Sequence, residues 1–461
     1  MRNVDTVTVG AGGGAYPAAF ALARAGQKVV MIDTKGVMSG NCLAEGCVPS
    51  KAVREVAELH RRTGSSERFG LDGNQNVDYA RIIAHKDKVQ RTRYAQHDAE
   101  LAELAGRLEL VGGKARLVDP HTVEVETSSG TERLQGSHLI VASGADVFIP
   151  PIPGAELCVT SRDLFALGPA VDRLPARLAV IGGGYIGLEV ACMLNALGTR
   201  VTVIEATGQL LPGMDKDFVS LVAAGIDPSI EIRLDSTVRS VTKAKGGLQV
   251  GYDHGGASEA VDADMVLMAV GRHPVIPEGA AEVGLAMEGR AIGVDATIRT
   301  NLSHVYAPGD VNGRSMLFHS AVRQSLVAAH NILAGDGGVD RMDFASVPTT
   351  IFTSPEASYV GITRARARSR AGGVIEGSYA FEGDSRAQIL DETYGELRLF
   401  FDPESLRLLG GWVVGIDAAQ LIGEIGLAVS AGLTAYDLAR FADQHPMAAE
   451  GISRAARSVA G

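Results

Sequence analysis

Leu178-Ala179-Val180-Ile181-Gly182-Gly183-Gly184-Tyr185-Ile186-Gly187-Leu188-Glu189 is an apolar run that breaks into closely spaced glycines and then turns apolar again. We read a strand at Leu178–Ile181, a turn at Gly182–Gly187, a helix at Leu188–Leu197 and a second strand at Val201–Ile204 that runs into Glu205. Gly182, Gly184 and Gly187 form the pattern G-x-G-x-x-G, which suits a pyrophosphate. Glycine lets the N–H groups of a helix N-terminus approach phosphate oxygens with no Cβ in the way. Glu205 is placed to accept ribose hydroxyls and to repel a 2′-phosphate, and no Arg follows it closely, so NAD is expected rather than NADP.

The same grammar opens the chain. Val4–Val9 reads as a strand, Gly10 and Gly12 as a turn with Ala15 in the looser third position, Pro17–Ala25 as a helix, and Lys28–Ile32 as a strand before Asp33. Gly10 to Asp33 is 23 positions, and Gly182 to Glu205 is also 23. One such motif fits a tight turn whose glycines serve packing alone; two, each with an acid at the same distance, point to two bound dinucleotides.

Working outward, 461 residues correspond to about three domains at ~150 each. The 43 Lys and Arg against 54 Asp and Glu give a net charge of −11, a field that repels nucleic acid and anionic membrane surfaces. Thr6–Ala23 is an 18-residue run without a charge, but its glycines, Pro17 and the lack of a basic leader argue against a spanning helix or signal peptide. No membrane association and a cytoplasmic location are therefore expected. Pro150, Pro151 and Pro153 mark a boundary near 150, Gly271–Pro277 a second after a strand at Met265–Val270, and Gly335–Asp340 a third. Gly70–His97 reads as polar and helical, and Gly112–Val125 as a small sheet. The tail mixes strands at Glu396–Phe401 and Gly411–Val414 with a helix at Ala419–Ala431.

Four Cys cannot form the disulfide framework of a small secreted protein, and Cys42 and Cys47 lie five positions apart in Gly40-Asn41-Cys42-Leu43-Ala44-Glu45-Gly46-Cys47-Val48-Pro49-Ser50-Lys51. A regular helix would rotate two such sulfurs too far apart to bond. Gly46 and Pro49 allow a bent turn, with Val48 biased away from helical backbone and a helix starting near Ser50. Cys47 would then sit by a helix N-terminus and Lys51, both of which favour thiolate. The pair reads as a redox couple or as half of a zinc site; Cys158 and Cys192, in unrelated places, read as small buried residues.

These stretches together resemble the flavoprotein disulfide reductases, and among them most closely the dihydrolipoamide dehydrogenases. The cysteine segment resembles the family's redox-active disulfide motif. Thr300–Asp310 resembles its second FAD motif, Val347–Gly361 and Gly411–Ile422 its dimerisation domain, and His445-Pro446-Met447-Ala448-Ala449-Glu450 its His-Pro-Thr-x-x-Glu signature. The chain departs from the family at Met447, at His273-Pro274-Val275, and at Ser143 and Ala145, positions that flank the reactive groups without removing them.

The resemblance implies an α/β fold of two Rossmann-like dinucleotide-binding domains and a C-terminal α+β dimerisation domain. Residues 1–150 and 274–340 would bind FAD, 151–273 NAD, and 341–461 would pair two copies in a homodimer. It implies a Cys42–Cys47 disulfide, with Cys42 exchanging with substrate and Cys47 lying against the flavin. Lys51 would pair with Glu189 beside the flavin, His445 would act as general base, and Glu450 would orient it. Asp310 is expected at the flavin's ribityl and pyrophosphate region, His319 near the flavin or in the core, Tyr185 over the nicotinamide pocket, and Gly144, Gly309 and Gly271 at the cofactors. The implied partner is dihydrolipoamide or a lipoyl-protein. The alternatives are a related NAD(P)H-dependent disulfide or quinone reductase, or a non-catalytic flavin-binding subunit.

Overall fold

The computed structural model describes residues 1–73, 75–335, 339–370 and 372–461. Its first sheet grows from β1 (Arg2–Val9), which pairs in parallel with β2 (Val29–Asp33) and β6 (Gly130–Val141). The last four residues of β1 are all buried, as a central parallel strand covered on both faces requires. Thr6 and Thr8 are buried there because their hydroxyls donate to Gln27 Oε1 (2.9 Å) and Gly10 O (2.7 Å). With β3 (Leu108–Gly112), β4 (Lys114–Asp119) and β5 (Thr122–Thr127) the order is β3-β2-β1-β6-β5-β4. The expected small sheet near Gly112–Val125 is thus an antiparallel extension of the main one. Val305–Tyr306 joins β6 in parallel, so sequence from both sides of the second glycine unit shares one sheet.

Helix α1 (Tyr16–Arg24) carries Pro17 in its first turn, where no intrahelical hydrogen bond is lost. It packs on α8 (Phe318–Ala334), whose Ser325 hydroxyl accepts from Ala18 N–H at 2.9 Å. The second unit is a parallel sheet ordered Glu231–Arg233, Arg200–Ile204, Arg177–Ile181, Met265–Met268. Its helix α6 (Tyr185–Ala196) begins three residues before the expected Leu188, so Gly187 lies inside the first turn. A Cβ there would stand 2.0 Å from Gly182 O; this third glycine serves helix-to-strand packing rather than the turn. Helix α7 (Lys216–Gly225) carries Phe218, whose ring meets Tyr359 and Trp412 edge-on and so ties this unit to the C-terminal region.

Two short strands link the units. Ala145–Val147 and Arg272–Pro274 run antiparallel, Val147 opposite Arg272 and Ala145 opposite Pro274. The C-terminal region is a five-stranded antiparallel sheet, ordered Thr349–Ile351, Ala357–Gly361, Leu408–Gly415, Gly395–Phe401, Ile375–Ala380. Helices Ala418–Ala431 and Glu450–Ala460 cover a core that includes Phe381, Leu397, Val413 and Ile425. The turn expected at Gly335–Asp340 includes 336–338, which lie outside the described residues. Among the described residues no helix is long and apolar enough to cross a membrane.

Candidate functional site

Both glycine turns, the cysteine pair and the linking strands open onto one cavity of 1930 Å³. A single small-molecule pocket is roughly 300–1,000 Å³, so this one has room for two ligands meeting in the middle. Each turn is shaped for close approach. Gly10 (φ +108°) and Gly182 (φ +107°) adopt matching left-handed backbone, and a Cβ on either would strike a carbonyl just past a strand end, Ala142 O at 2.2 Å or Ala269 O at 2.5 Å. Gly184 instead faces open space, with nothing within 4 Å of where a Cβ would lie. Neither α1 nor α6 has a cap from its N-cap side chain. The first-turn N–H groups of α6 are left for a ligand, whereas at α1 Tyr16 N–H donates to Gly12 O (3.0 Å), Pro17 has no N–H and Ala18 N–H is taken by Ser325, so a phosphate there must be met by the glycine turn rather than by the first turn of the helix.

The two acids behave alike. Asp33 accepts from Ala11 N–H (3.1 Å) and Lys35 N–H (2.8 Å); Glu205 accepts from Gly183 N–H (2.7 Å) and from the N–H and hydroxyl of Thr207 (2.8 Å each). In both units the residue after the first glycine is therefore tied to the acid, which fixes the turn as well as facing the ribose position. Burial raises the Asp33 carboxyl despite its two backbone donors. Ala15 and Gly187 do not line the cavity: Ala15 is fully buried behind the first turn, and Gly187 packs behind the second.

The cysteines lie on two helices broken at Gly46. Cys42 is in α2 (Gly40–Ala44), and Cys47 is the first residue of α3 (Cys47–Gly64). A Cβ on Gly46 would sit 2.9 Å from Asn41 O, so the chain folds back on itself there. The helix starts three residues before the expected Ser50. Pro49 is tolerated because first-turn N–H groups have no helical partner, and Val48 turns helical against the pre-proline bias, which disfavours that backbone without forbidding it. Cys42 is half-buried and Cys47 exposed, and both line the cavity as free thiols. The Cys47 thiol is lowered to about 7, first by a hydrogen bond from Cys42 and then, against the opposing effect of burial, by the Lys51 ammonium. The Cys42 thiol is pushed up, chiefly because it is the donor in that bond. Among the described residues no group of three or more His, Cys, Asp or Glu is arranged to hold a metal ion, so the geometry gives the half-zinc alternative no further ligands.

Lys51 Nζ lies 2.6 Å from Glu189 Oε2 on α6 and 4.3 Å from the centre of the Phe352 ring. Phe352 N–H donates to the other Glu189 oxygen at 3.1 Å, so the pair joins three regions of chain beside Cys47. Tyr185 lines the cavity with its hydroxyl 2.8 Å from that of Tyr359, and burial raises its phenol. His319 Nε2 donates to Pro348 O at 2.7 Å, leaving Nδ1 as the other ring nitrogen. Gly144, Gly271 and Gly309 also line the cavity. So does Asp310, whose carboxylate takes no hydrogen bond from the described residues and is raised by burial. Phe352, Tyr359 and Arg272, which donates to Ala145 O at 2.7 Å, went unnoticed as cavity residues in the sequence.

His445 and Glu450 are elsewhere. His445 Nδ1 is 2.9 Å from Glu450 Oε1, but neither lines the cavity, and the imidazole is 67 % exposed. The His445–Pro446 peptide is cis. Burial tends to raise the Glu450 carboxyl, but hydrogen bonds from His445, Met447 N–H and Arg454 outweigh it and leave it below the usual carboxylate range.

The residues fit FAD and a nicotinamide dinucleotide. The free N-terminus of α6 and the glycine turn before α1 face two phosphate positions, the Gly184 cradle is one that a Cβ would fill, and the Asp310 carboxylate takes no hydrogen bond from the described residues. Asp33 and the first turn would hold FAD, with Asp310 toward its ribityl chain; Glu205 and the second turn would hold the nicotinamide dinucleotide.

Comparison with known proteins agrees with this geometry. Residues 4–325 match the pyridine nucleotide-disulphide oxidoreductase family, and 347–456 its dimerisation domain. Dihydrolipoyl dehydrogenase of Geobacillus stearothermophilus is 31 % identical over all of this chain and 97 % of its own length, and that of Vibrio cholerae 32 % over all of this chain and 96 % of its own. The solved Cu(II) complex of the HOCl-induced flavoprotein disulfide reductase RclA of Escherichia coli aligns over the full length of both chains, with a TM-score of 0.88 at 26 % identity. The chain belongs to the pyridine nucleotide-disulphide oxidoreductases, a family of FAD-containing, NAD(P)-dependent disulfide oxidoreductases.

Proposed function

We propose that this protein is an NAD-linked dihydrolipoyl dehydrogenase, working as a homodimer on dihydrolipoamide or a lipoyl-protein. The observation that carries the reading is the Cys42–Cys47 pair at the break between α2 and α3, opening onto the same cavity as both dinucleotide turns. The net reaction oxidises one substrate dithiol to its disulfide and reduces one NAD⁺ to NADH with release of one proton. A substrate thiolate attacks the Cys42 sulfur of the Cys42–Cys47 disulfide and expels Cys47 as thiolate. The second substrate thiolate then displaces Cys42, closing the substrate disulfide and leaving the enzyme dithiol. Lys51 and the α3 N-terminus stabilise the Cys47 anion. His445, held by Glu450, takes the substrate thiol proton; its exposure and distance from the cavity fit delivery to the other copy's cysteines. FAD, when bound, supplies the two-electron relay between sulfur and nicotinamide. We assign 1–150 and 274–340 to FAD, 151–273 to NAD and 341–461 to dimerisation.

A second reading, reduction of a different disulfide by NAD(P)H, is favoured by Met447 between His445 and Glu450 and by the likeness to RclA. Steady-state rates with dihydrolipoamide, a lipoyl-protein and other disulfides, each with NAD and NADP, separate the two. Dihydrolipoyl specificity fails if another disulfide turns over faster by tenfold or more. Cys42→Ser should abolish dithiol-to-NAD turnover, and survival of turnover would sink the redox-pair reading itself.

A further inference from the structure

Helix α4 (Tyr79–Glu103) carries a row of buried polar side chains with no part in the chemistry above. Lys86 and Gln90 are fully buried, and His97 is 4 % exposed. Spacings of four and seven put the three on one face, and that face meets both ends of α2, the five-residue helix that bears Cys42. A single turn of helix is not stable alone and leaves its last carbonyls unpaired. Gln90 Nε2 donates to two of them, Leu43 O (2.9 Å) and Ala44 O (3.0 Å).

Lys86 fixes which way Gln90 points. An ammonium has only donors, so it can face only the amide oxygen: Nζ lies 2.8 Å from Gln90 Oε1, which turns Nε2 toward the carbonyls. Burying an ammonium is costly unless it is paired, and here Asp87 Oδ1 (2.5 Å) and Ala166 O (2.7 Å) complete its bonds.

At the other end of α2, its cap residue Ser39 holds φ at +82°, a left-handed backbone that is strained for a non-glycine residue. His97 is positioned to hold it. Arg93 can only donate and lies 3.1 Å from Nε2, which makes Nε2 the acceptor and puts the proton on Nδ1, 3.2 Å from the Ser39 hydroxyl.

We propose that α4 is the positioning platform of the redox pair: Gln90, oriented by Lys86, and His97, oriented by Arg93, clamp the two ends of the Cys42 helix. The clamp keeps the Cys42 backbone still while its sulfur passes between disulfide and thiol. The inference rests on the redox-pair reading, and the test separates the two. The holoenzyme and its Gln90→Glu, Gln90→Leu, Lys86→Met and Cys42→Ser variants are assayed for dihydrolipoamide oxidation by NAD and for NADH oxidation by ferricyanide, which needs flavin but no cysteine. Alkylation of Cys42 and Cys47 by iodoacetamide in the reduced proteins is followed by mass spectrometry. Misplacement of reacting groups by about 1 Å costs around a hundredfold, so dithiol turnover should fall about 10- to 100-fold in the Gln90 and Lys86 variants. Ferricyanide turnover should stay within about twofold, and the ratio of Cys42 to Cys47 alkylation should change. The Lys86→Met/Gln90→Leu double variant should be no slower than Gln90→Leu, because Lys86 acts through Gln90. Gln90→Glu keeps the side-chain shape and carries the test if Gln90→Leu does not fold. The platform is refuted if both activities fall together or if dithiol turnover and alkylation are unchanged, provided Cys42→Ser abolishes dithiol turnover; if it does not, the redox-pair reading fails instead.

Discussion

Replacing Lys51 by Met tests the electrostatics of the cysteine pair. Residues four apart on a helix face bring their charges to roughly 6 Å. Cys47 is exposed and the Lys51 side chain 30 % exposed, so solvent screens the pair, and an effective dielectric of about 40, between the surface and bulk-water values, is appropriate. The attraction is then about 1.4 kcal/mol, or about one unit of thiol pKa. Loss of the ammonium also leaves Glu189, whose charge already opposes the Cys47 thiolate, without its 2.6 Å partner; both changes push the same way. The Cys47 thiol, now lowered to about 7, should rise to about 8. At pH about 7 the thiolate fraction would drop from about one half to about one tenth. The measurement is the rate of Cys47 alkylation by iodoacetamide in the reduced protein between about pH 5.5 and 9.5. Lys51→Met should be about fivefold slower near pH 7 and indistinguishable from the parent near pH 9.5, while Lys51→Arg should keep the parent profile. A Lys51→Met midpoint within about 0.3 units of the parent would mean that the helix terminus and the Cys42 hydrogen bond hold the thiolate without the lysine.

Three further outcomes are expected. Gly184→Ala should leave thermal stability within about 0.5 kcal/mol, since its Cβ would meet open space, yet weaken NAD binding at least tenfold; Gly187→Ala, whose Cβ would collide with Gly182 O, should destabilise by about 2 kcal/mol or more, read by calorimetry. Glu205→Gln removes the charge that faces the ribose and loosens its hold on Gly183 and Thr207, so the NAD over NADP preference in kcat/KM should shrink at least tenfold. Burial, His304, Arg299 and His121 lower the His138 pKa below its ordinary 6.5. The unfolded chain therefore takes up this proton first, and stability is lost as pH falls below about 6.5; denaturant midpoints of His138→Gln should decline less over that window.

The sequence displayed both glycine units because backbone geometry there admits almost no other residue, as the collisions at Gly10, Gly182 and Gly187 make plain. The cysteine segment was legible for a similar reason: its spacing and its Lys come from one continuous stretch. Helix starts were less so. Gly187 and Pro49 read as interruptions, yet both sit in first turns, where free N–H groups tolerate proline and close packing demands glycine. The α4 row was invisible, because Lys86, Gln90 and His97 look like the solvated face of a polar helix, and only the distant carbonyls of Leu43, Ala44 and Ala166 turn that face inward. His445 was singled out only through its family pattern, and within one chain it does not line the cavity.

The paired strands Ala145–Val147 and Arg272–Pro274 carry a consequence for how such a chain is assembled. The exit and return paths of the intervening segment run side by side in opposite directions, so that segment leaves and rejoins its host through one doorway, and Glu189, Tyr185 and Phe218 anchor it beyond that doorway. A short loop spliced from Ala145 to Pro274 would close the host sheet behind it, and a guest of altered nucleotide preference could be grafted through the same doorway if it kept the counterparts of Glu189, Tyr185 and Phe218.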